Sequence, residues 1–269
     1  MNQQELKNLC TQTCQVLEDV ASFIRNEVGK VSGDKIEIKS LNSLVSYVDK
    51  TAEERLVKAL ALLLPGSTFL TEEETVAAQT GEFQWIIDPL DGTTNFLHQL
   101  PCFAISVGLR HREIIVLGVV YEVNRGECFS AWRGGGAFLN GNPISVSQAV
   151  SLRDSLIATG FPYRDFERME RYLVALKDFM KETRGLRRFG AAAVDLAYVA
   201  CGRFDAFFEY GLSPWDVAAG ILLVEEAGGI VSDFRGRENF LFGGEMVAAS
   251  KTVYEEVMKV INIAFPAGN

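Results

Sequence analysis

Residues 85–96 read Trp85-Ile86-Ile87-Asp88-Pro89-Leu90-Asp91-Gly92-Thr93-Thr94-Asn95-Phe96. An apolar run leads into two carboxylates spaced i and i+3 on either side of a proline. Pro89 pushes Asp88 out of the helical region, so the pair cannot lie in an ordinary helix interior. The spacing predicts a buried strand that ends at Asp88, a tight turn, and a short helix that begins near Gly92-Thr93-Thr94. Two acids at a strand end, beside a helix start built from small residues, suit a hard cation and a phosphate together.

Working upstream, Leu6, Leu9, Cys10, Thr13, Leu17, Val20, Ala21 and Ile24 recur at helical spacing and predict a helix from near Gln3 to near Val28, ended by Gly29. Ser32-Gly33-Asp34 reads as a turn and Lys35–Lys39 as a short exposed strand. A second helix follows from near Asp49, an acid that could serve merely as its N-cap, and stops at Pro65-Gly66. Ser67–Leu70 is a short apolar strand running into Glu72-Glu73-Glu74. Acid runs usually face solvent, but this one leaves a buried strand as Asp88 does.

Downstream, Ala104–Leu109, Ile114–Tyr121, Glu127–Trp132, Ala137–Leu139 and Ile144–Val146 alternate between turns and predict an antiparallel meander. No helix pattern follows Gly134-Gly135-Gly136, so it is a turn and not a phosphate loop. After Ser151 strands and helices alternate. Ser155–Ala158 is a strand, and Glu167–Thr183 a helix with Met169, Tyr172, Leu173, Leu176 and Met180 inward. A helix opens at Gly190-Ala191-Ala192-Ala193, and Phe204–Glu209 is a strand. Trp215-Asp216 starts an apolar helix, with Asp216 a possible N-cap. Ile230–Ser232 and Val247–Ala249 are buried strands before a last helix, Val253–Phe265. The compositional shift near Ser147–Ser151 divides a single domain, residues 1–269, into lobes 1–150 and 151–269.

The chain has 269 residues, is 48% apolar and 23% charged, and carries a net charge of −9. It has enough apolar content for a substantial core. Its charge disfavours broad binding to nucleic acid or to an anionic membrane surface. No apolar run approaches the ~20 residues a membrane helix needs, and the start lacks a signal-peptide pattern. Five scattered cysteines, Cys10, Cys14, Cys102, Cys128 and Cys201, contain no Cys-x-x-Cys, which argues against zinc and for a reduced, cytoplasmic protein. Cys10 and Cys14 share a helix face and read as small buried side chains. The two histidines, His98 and His111, cannot build a histidine-rich site. Glu72, Asp88, Asp91 and Asp216, all oxygen donors, suit magnesium.

Asp88-Pro89-Leu90-Asp91-Gly92-Thr93-Thr94-Asn95-Phe96 resembles the first signature of the inositol monophosphatase family. Trp215-Asp216-Val217-Ala218-Ala219-Gly220, continuing to Glu226-Ala227-Gly228-Gly229, resembles the second, and Phe69-Leu70-Thr71-Glu72-Glu73 resembles its Glu-Glu segment. The resemblance spans Leu6 to Phe265 with the motifs in the family's order. It implies a layered α/β fold of alternating α-β-α-β-α layers, common homodimerisation, lithium sensitivity, and two or three Mg²⁺ ions. By the same resemblance, Glu72, Asp88 and the Leu90 carbonyl would bind the first ion, and Asp88, Asp91 and Asp216 the second. A third, weaker ion would sit near Glu72. Asp49 and Thr93 would orient the attacking water. Gly92 and Thr93 would offer N–H groups to phosphate. Gly190, Ala192 and Glu209 would face the alcohol of the substrate.

Two features depart from the family pattern: Ala191 stands where Ser or Thr is usual, and the connection from Lys39 to Asp49 is short. The expected activity is Mg²⁺-dependent hydrolysis of a small polyol or sugar phosphate, inositol 1-phosphate first. The rival substrates are fructose 1,6-bisphosphate, NADP, adenosine 3′,5′-bisphosphate and histidinol phosphate. A rival of another class is a regulatory or binding protein on the same fold.

Overall fold

The computed structural model describes residues 1–32, 36–40, 43–162 and 166–266. Its first half contains α1 (Gln3–Glu27), β1 (Ile36–Ser40), β2 (Ser43–Ser46), α2 (Tyr47–Leu63), β3 (Thr68–Thr71), β4 (Phe83–Asp91) and α3 (Thr93–Leu97). The meander β5 (Ala104–His111), β6 (Ile114–Glu122), β7 (Glu127–Trp132), β8 (Gly136–Leu139) and β9 (Asn142–Ile144) follows. The second half contains β10 (Leu156–Thr159), α4 (Met169–Glu182), β11 (Gly185–Arg187), α5 (Ala192–Ala200), β12 (Ala206–Tyr210), α6 (Pro214–Glu226), β13 (Ile230–Ser232), β14 (Glu245–Ala249) and α7 (Tyr254–Ala264).

β3 to β9 form one seven-stranded sheet in chain order. Only β3 and β4 are parallel; every other pair is antiparallel. The second sheet has five strands in the order β11-β10-β12-β14-β13. Three hydrophobic cores hold five layers together, the central one filling both sides of the middle helical layer. Leu17, Ile24, Leu56, Trp85 and Ile87 pack α1 and α2 on one face of the large sheet. Ile86, Val120, Leu196, Leu222 and Phe207 pack α5 and α6 between the sheets. Tyr172, Phe179, Phe208 and Ile261 pack α4 and α7 on the outer face of the small sheet. β4 feeds two of these cores because successive strand side chains point to opposite faces. The layered α/β expectation is met.

α6 is buried all along Val217–Val224, as a helix apolar on every side must be. It lies against β5 and β6 at two glycines. A Cβ on Gly108 would meet the Ala218 Cβ at 2.8 Å, and one on Gly118 would meet the Ala219 carbonyl oxygen at 2.7 Å. Among the described residues no helix is long and apolar enough to cross a membrane.

Several expectations are corrected. β4 does not stop at Asp88 but continues through Pro89 and Leu90 to Asp91. α2 is capped by Ser46 and α6 by Ser213; Asp49 and Asp216 are the third residues of capping boxes. In α4 the inward residues are Tyr172, Ala175 and Phe179, while Met169, Leu173 and Met180 are exposed. The aromatic rings turn the helix, because they cover more area than the methionines they displace. Short β2 and β11 have too few residues to show a period; β2 pairs with its neighbour β1, and β11 with β10 on the far side of α4 in the chain. Of the turn read at Ser32–Asp34, Gly33 and Asp34 lie outside the described residues, as does Lys35 at the start of the following strand.

Candidate active site

β3 and β4 run parallel with Thr71 beside Ile87, and Glu72 continues the pairing by donating its N–H to the Ile87 carbonyl at 3.2 Å. Glu72 and Asp88 therefore leave neighbouring strands at the same end. Asp91 reaches that side through an irregularity. Asp88 pairs with Ser106 and Asp91 with Ala104, so three steps on β4 oppose two on β5. In a regular strand residues i and i+3 point to opposite faces; the extra residue of a bulge reverses the parity. The Leu90 N–H donates to the Asp88 carboxylate at 2.9 Å and fixes the turn within it.

Gly92 caps α3 with φ 89°. A Cβ there would also meet the Cys102 carbonyl oxygen at 3.1 Å and the Gly190 carbonyl oxygen at 3.3 Å. Glycine answers both constraints. Asn95 ties α3 to the second half by donating to the carbonyls of Cys102 at 2.7 Å and Phe189 at 2.8 Å. This sets Gly190 and the start of α5 against the motif. The Ala193 N–H then donates to Asp91 at 2.7 Å. Asp216 enters from the first turn of α6, where it accepts the Ser213 N–H at 2.7 Å. The Trp215 carbonyl accepts from the Ser106 hydroxyl at 3.0 Å, which anchors that turn to β5.

Glu72, Asp88, Leu90, Asp91, Gly92, Thr93, Gly190 and Asp216 thus line one cleft of ≈ 250 Å³. Ala192 and Glu209 line a smaller cleft of ≈ 30 Å³ that shares Asp91, Gly190 and Asp216 with it. Asp49 sits behind the wall, 1% exposed, and accepts the Thr93 hydroxyl at 2.9 Å. Every residue singled out from the sequence is therefore in or against this region.

Burial pushes the Asp88 carboxyl well above the ordinary carboxylate range, and the charges of Glu72, Asp91 and Asp216 push it further. Burial likewise raises Asp91 to about 7, against the Ala193 hydrogen bond. Asp49 is raised by burial, opposed by its bonds from Ser46 and Thr93. Burial and the charge of Asp216 raise Glu209. So dense a set of carboxylates is short of positive charge. Its donors are all oxygen, the chemistry of a hard divalent ion. Among the described residues no three His, Cys, Asp or Glu side chains are already grouped at ligand spacing.

Sequence reasoning passes over three residues of the site. Arg188 lines both clefts and offsets the charge of Asp91 and Glu209. Buried Glu53 clamps the loop after β3, accepting from the Glu73 and Thr75 N–H groups at 2.7 and 2.8 Å. Asp195 is 1% exposed and lines the smaller cleft, with Oδ1 lacking a partner. In the sequence Arg188 is half of an Arg-Arg pair with the look of a surface. Glu53 and Asp195 have the look of ordinary helix residues; only an acid amid Ala and Val in Asp195's helix hints at burial.

The inositol monophosphatase family pattern matches residues 4–264. An inositol-1-monophosphatase of Mesorhizobium japonicum is 41% identical over 88% of this chain and 90% of that protein. A putative Nus factor SuhB of Neisseria meningitidis is 46% identical over 87% of this chain and 90% of that protein. The solved structure of an IMPase from Thermotoga maritima superposes with a TM-score of 0.85 at 34% identity, covering 93% of this chain and 95% of that one.

Proposed function

The chain belongs to the inositol monophosphatase family, and we propose that it is a Mg²⁺-dependent phosphatase acting on a small polyol phosphate monoester, inositol 1-phosphate first. The observation that carries this reading is the convergence of Glu72, Asp88, Asp91, Thr93 and Asp216 on one cleft. Glu72, Asp88 and the Leu90 carbonyl would hold one ion, and Asp88, Asp91 and Asp216 a second, with a third near Glu72. Bound there, magnesium would acidify the attacking water and neutralise the phosphoryl and leaving oxygens.

The chain's own groups orient the reaction. The Thr93 hydroxyl gives its proton to Asp49 Oδ1 and the Leu90 carbonyl, at 2.9 and 3.1 Å. Its lone pairs are left to accept a hydrogen from the attacking water, and the Glu72 carboxylate takes the other. Backbone N–H groups of Gly92 and Thr93 meet the phosphate oxygens. Glu209 accepts from hydroxyls of the alcohol, between Gly190 and Ala192. Arg188 adds the positive charge that an anionic ester needs in an acidic protein.

The protein acts in the cytoplasm as a homodimer in this reading, each chain one catalytic unit. A second reading, a regulatory role, rests on the name of the 46%-identical Nus factor relative. Phosphate release from a panel of inositol, fructose, adenosine, histidinol and NADP phosphates, with and without Mg²⁺ and Li⁺, separates the readings. Lithium-inhibited release from inositol 1-phosphate above the others supports the proposal. Absence of turnover on every ester leaves the regulatory reading.

A further inference from the structure

α1 carries Cys10 and Cys14 one turn apart, and β7 carries Cys128. The three line a cavity of ≈ 600 Å³ that shares no residue with the carboxylate cleft. Its wall also holds Lys7, Gln15, Glu18, Ser130 and Asn140. All three thiols are free, Cys10 buried and the other two half-buried. Cys14 is the hub. The proximity of Cys10 and Cys128 holds its thiol below the ordinary range, and the same proximity with burial pushes those two up; the Cys10 thiol itself donates to the Ala131 carbonyl at 3.8 Å. The cavity beside the three thiols gives a small molecule room to reach sulfur.

We propose that this cavity is a thiol-exchange site, in which Cys14 reacts with a small carboxylate-bearing disulfide and then forms a bridge with Cys128. In the first step the Cys14 thiolate attacks one sulfur of the disulfide. A Cys14–ligand S–S bond forms, the ligand's own S–S bond breaks, and one ligand thiolate leaves. In the second step Cys128 attacks the Cys14 sulfur. The Cys14–Cys128 bond forms, the second ligand thiolate leaves, and the Cys128 proton goes to it. Two protein thiols are oxidised and one disulfide is reduced to two thiols. Lys7 in the wall suits a ligand carboxylate.

Cys128 is the resolving partner because it lies on a different element from Cys14 and lines the same cavity. Side chains four apart on one helix project nearly parallel, so a Cys10–Cys14 bridge would need backbone movement. Cys102 and Cys201 serve as internal references. Burial pushes Cys102 up to about 12, and Cys201 is raised as well.

The test uses the full chain, oxidised glutathione and mass-spectrometric peptide mapping. Wild type should lose two hydrogens as a Cys14–Cys128 bridge, and Cys128→Ser should stop at a glutathione adduct on Cys14. Iodoacetamide at pH 5.5 should label Cys14 in the Cys128→Ser variant more than ~10-fold faster than Cys102 or Cys201, since an ordinary thiol is then about one part in a thousand thiolate. Labelling of wild type gives the same ranking should the variant fold poorly. An adduct that falls first on Cys102 or Cys201, or a bridge between Cys10 and Cys14, overturns the proposal.

Discussion

The Thr93 hydroxyl donates to the Asp49 carboxylate across 2.9 Å, joining two residues 44 apart in the chain. The same carboxylate accepts the Ser46 N–H at 2.9 Å and the Ser46 hydroxyl at 2.7 Å, closing the capping box of α2. The start of a helix is thereby made rigid in order to aim one hydroxyl. Thr93→Val should lower kcat by about 100-fold, the lower end of what a proton-directing group supplies, with KM little changed. Thr93→Ser should keep most activity. Steady-state kinetics on both variants decide the point; equal losses would assign Thr93 to packing.

Metal binding should stabilise the fold more at high pH than at low. Asp91 is at about 7 against an ordinary 3.8, and Asp88 is raised in the same direction. A carboxyl raised in the fold contributes stability that is full below about pH 4 and is lost as pH climbs through about 7. Magnesium competes with those protons. Its increment in Tm should therefore be small at pH 5 and several degrees at pH 8. Equal increments at the two pH values would remove Asp88 and Asp91 from the metal site.

Gly160 touches the alcohol side of the cleft through Glu209: a Cβ at Gly160 would overlap the Glu209 carboxylate. Gly160→Ala should fold, because the tip of a long side chain can move. Like Glu209→Gln, it should raise KM for inositol 1-phosphate and leave an aryl phosphate nearly unaffected. The observation to look for against this is a matched KM rise on both esters.

Gly118 tests how packing sets the site. Its Cβ would strike the backbone of Ala219, which cannot swing away. Gly118→Ala should cost about 1–3 kcal/mol, the usual penalty for overpacking. Because α6 also carries Asp216 in its first turn, the Mg²⁺ concentration for half-maximal activity should rise. Urea unfolding and a magnesium titration measure the two effects; a stability loss with unchanged Mg²⁺ dependence would uncouple helix position from the ions.

Much of the fold and most of the site are legible in the residues themselves, wherever local chemistry is decisive. Period-2 runs between turns locate the meander, and Asp88-Pro89-Leu90-Asp91-Gly92 marks the site through residue types that no plain helix or strand tolerates. The facing of α4 is not legible, since Met169, Leu173 and Met180 share one apolar stripe and Tyr172, Ala175 and Phe179 share another. Only the small sheet decides which is covered. Glu53 and Arg188 are hidden because their partners lie across the fold, and Cys128 joins Cys10 and Cys14 only through the contact of α1 with β7.

The unequal pairing between β4 and β5 has a consequence of its own. Because Pro89 and Leu90 together oppose Ile105 alone between Asp88 and Asp91, the stretch works as a counter. Exchanging Leu90 for another apolar residue leaves the count intact, whereas removing one residue restores an even ladder: both carboxylates stay on one face, but the bend that turns the Leu90 N–H to Asp88 and its carbonyl to the Thr93 hydroxyl is lost. Substitution in this segment degrades the centre by degrees; a one-residue deletion irons the strand flat and takes away the bend itself.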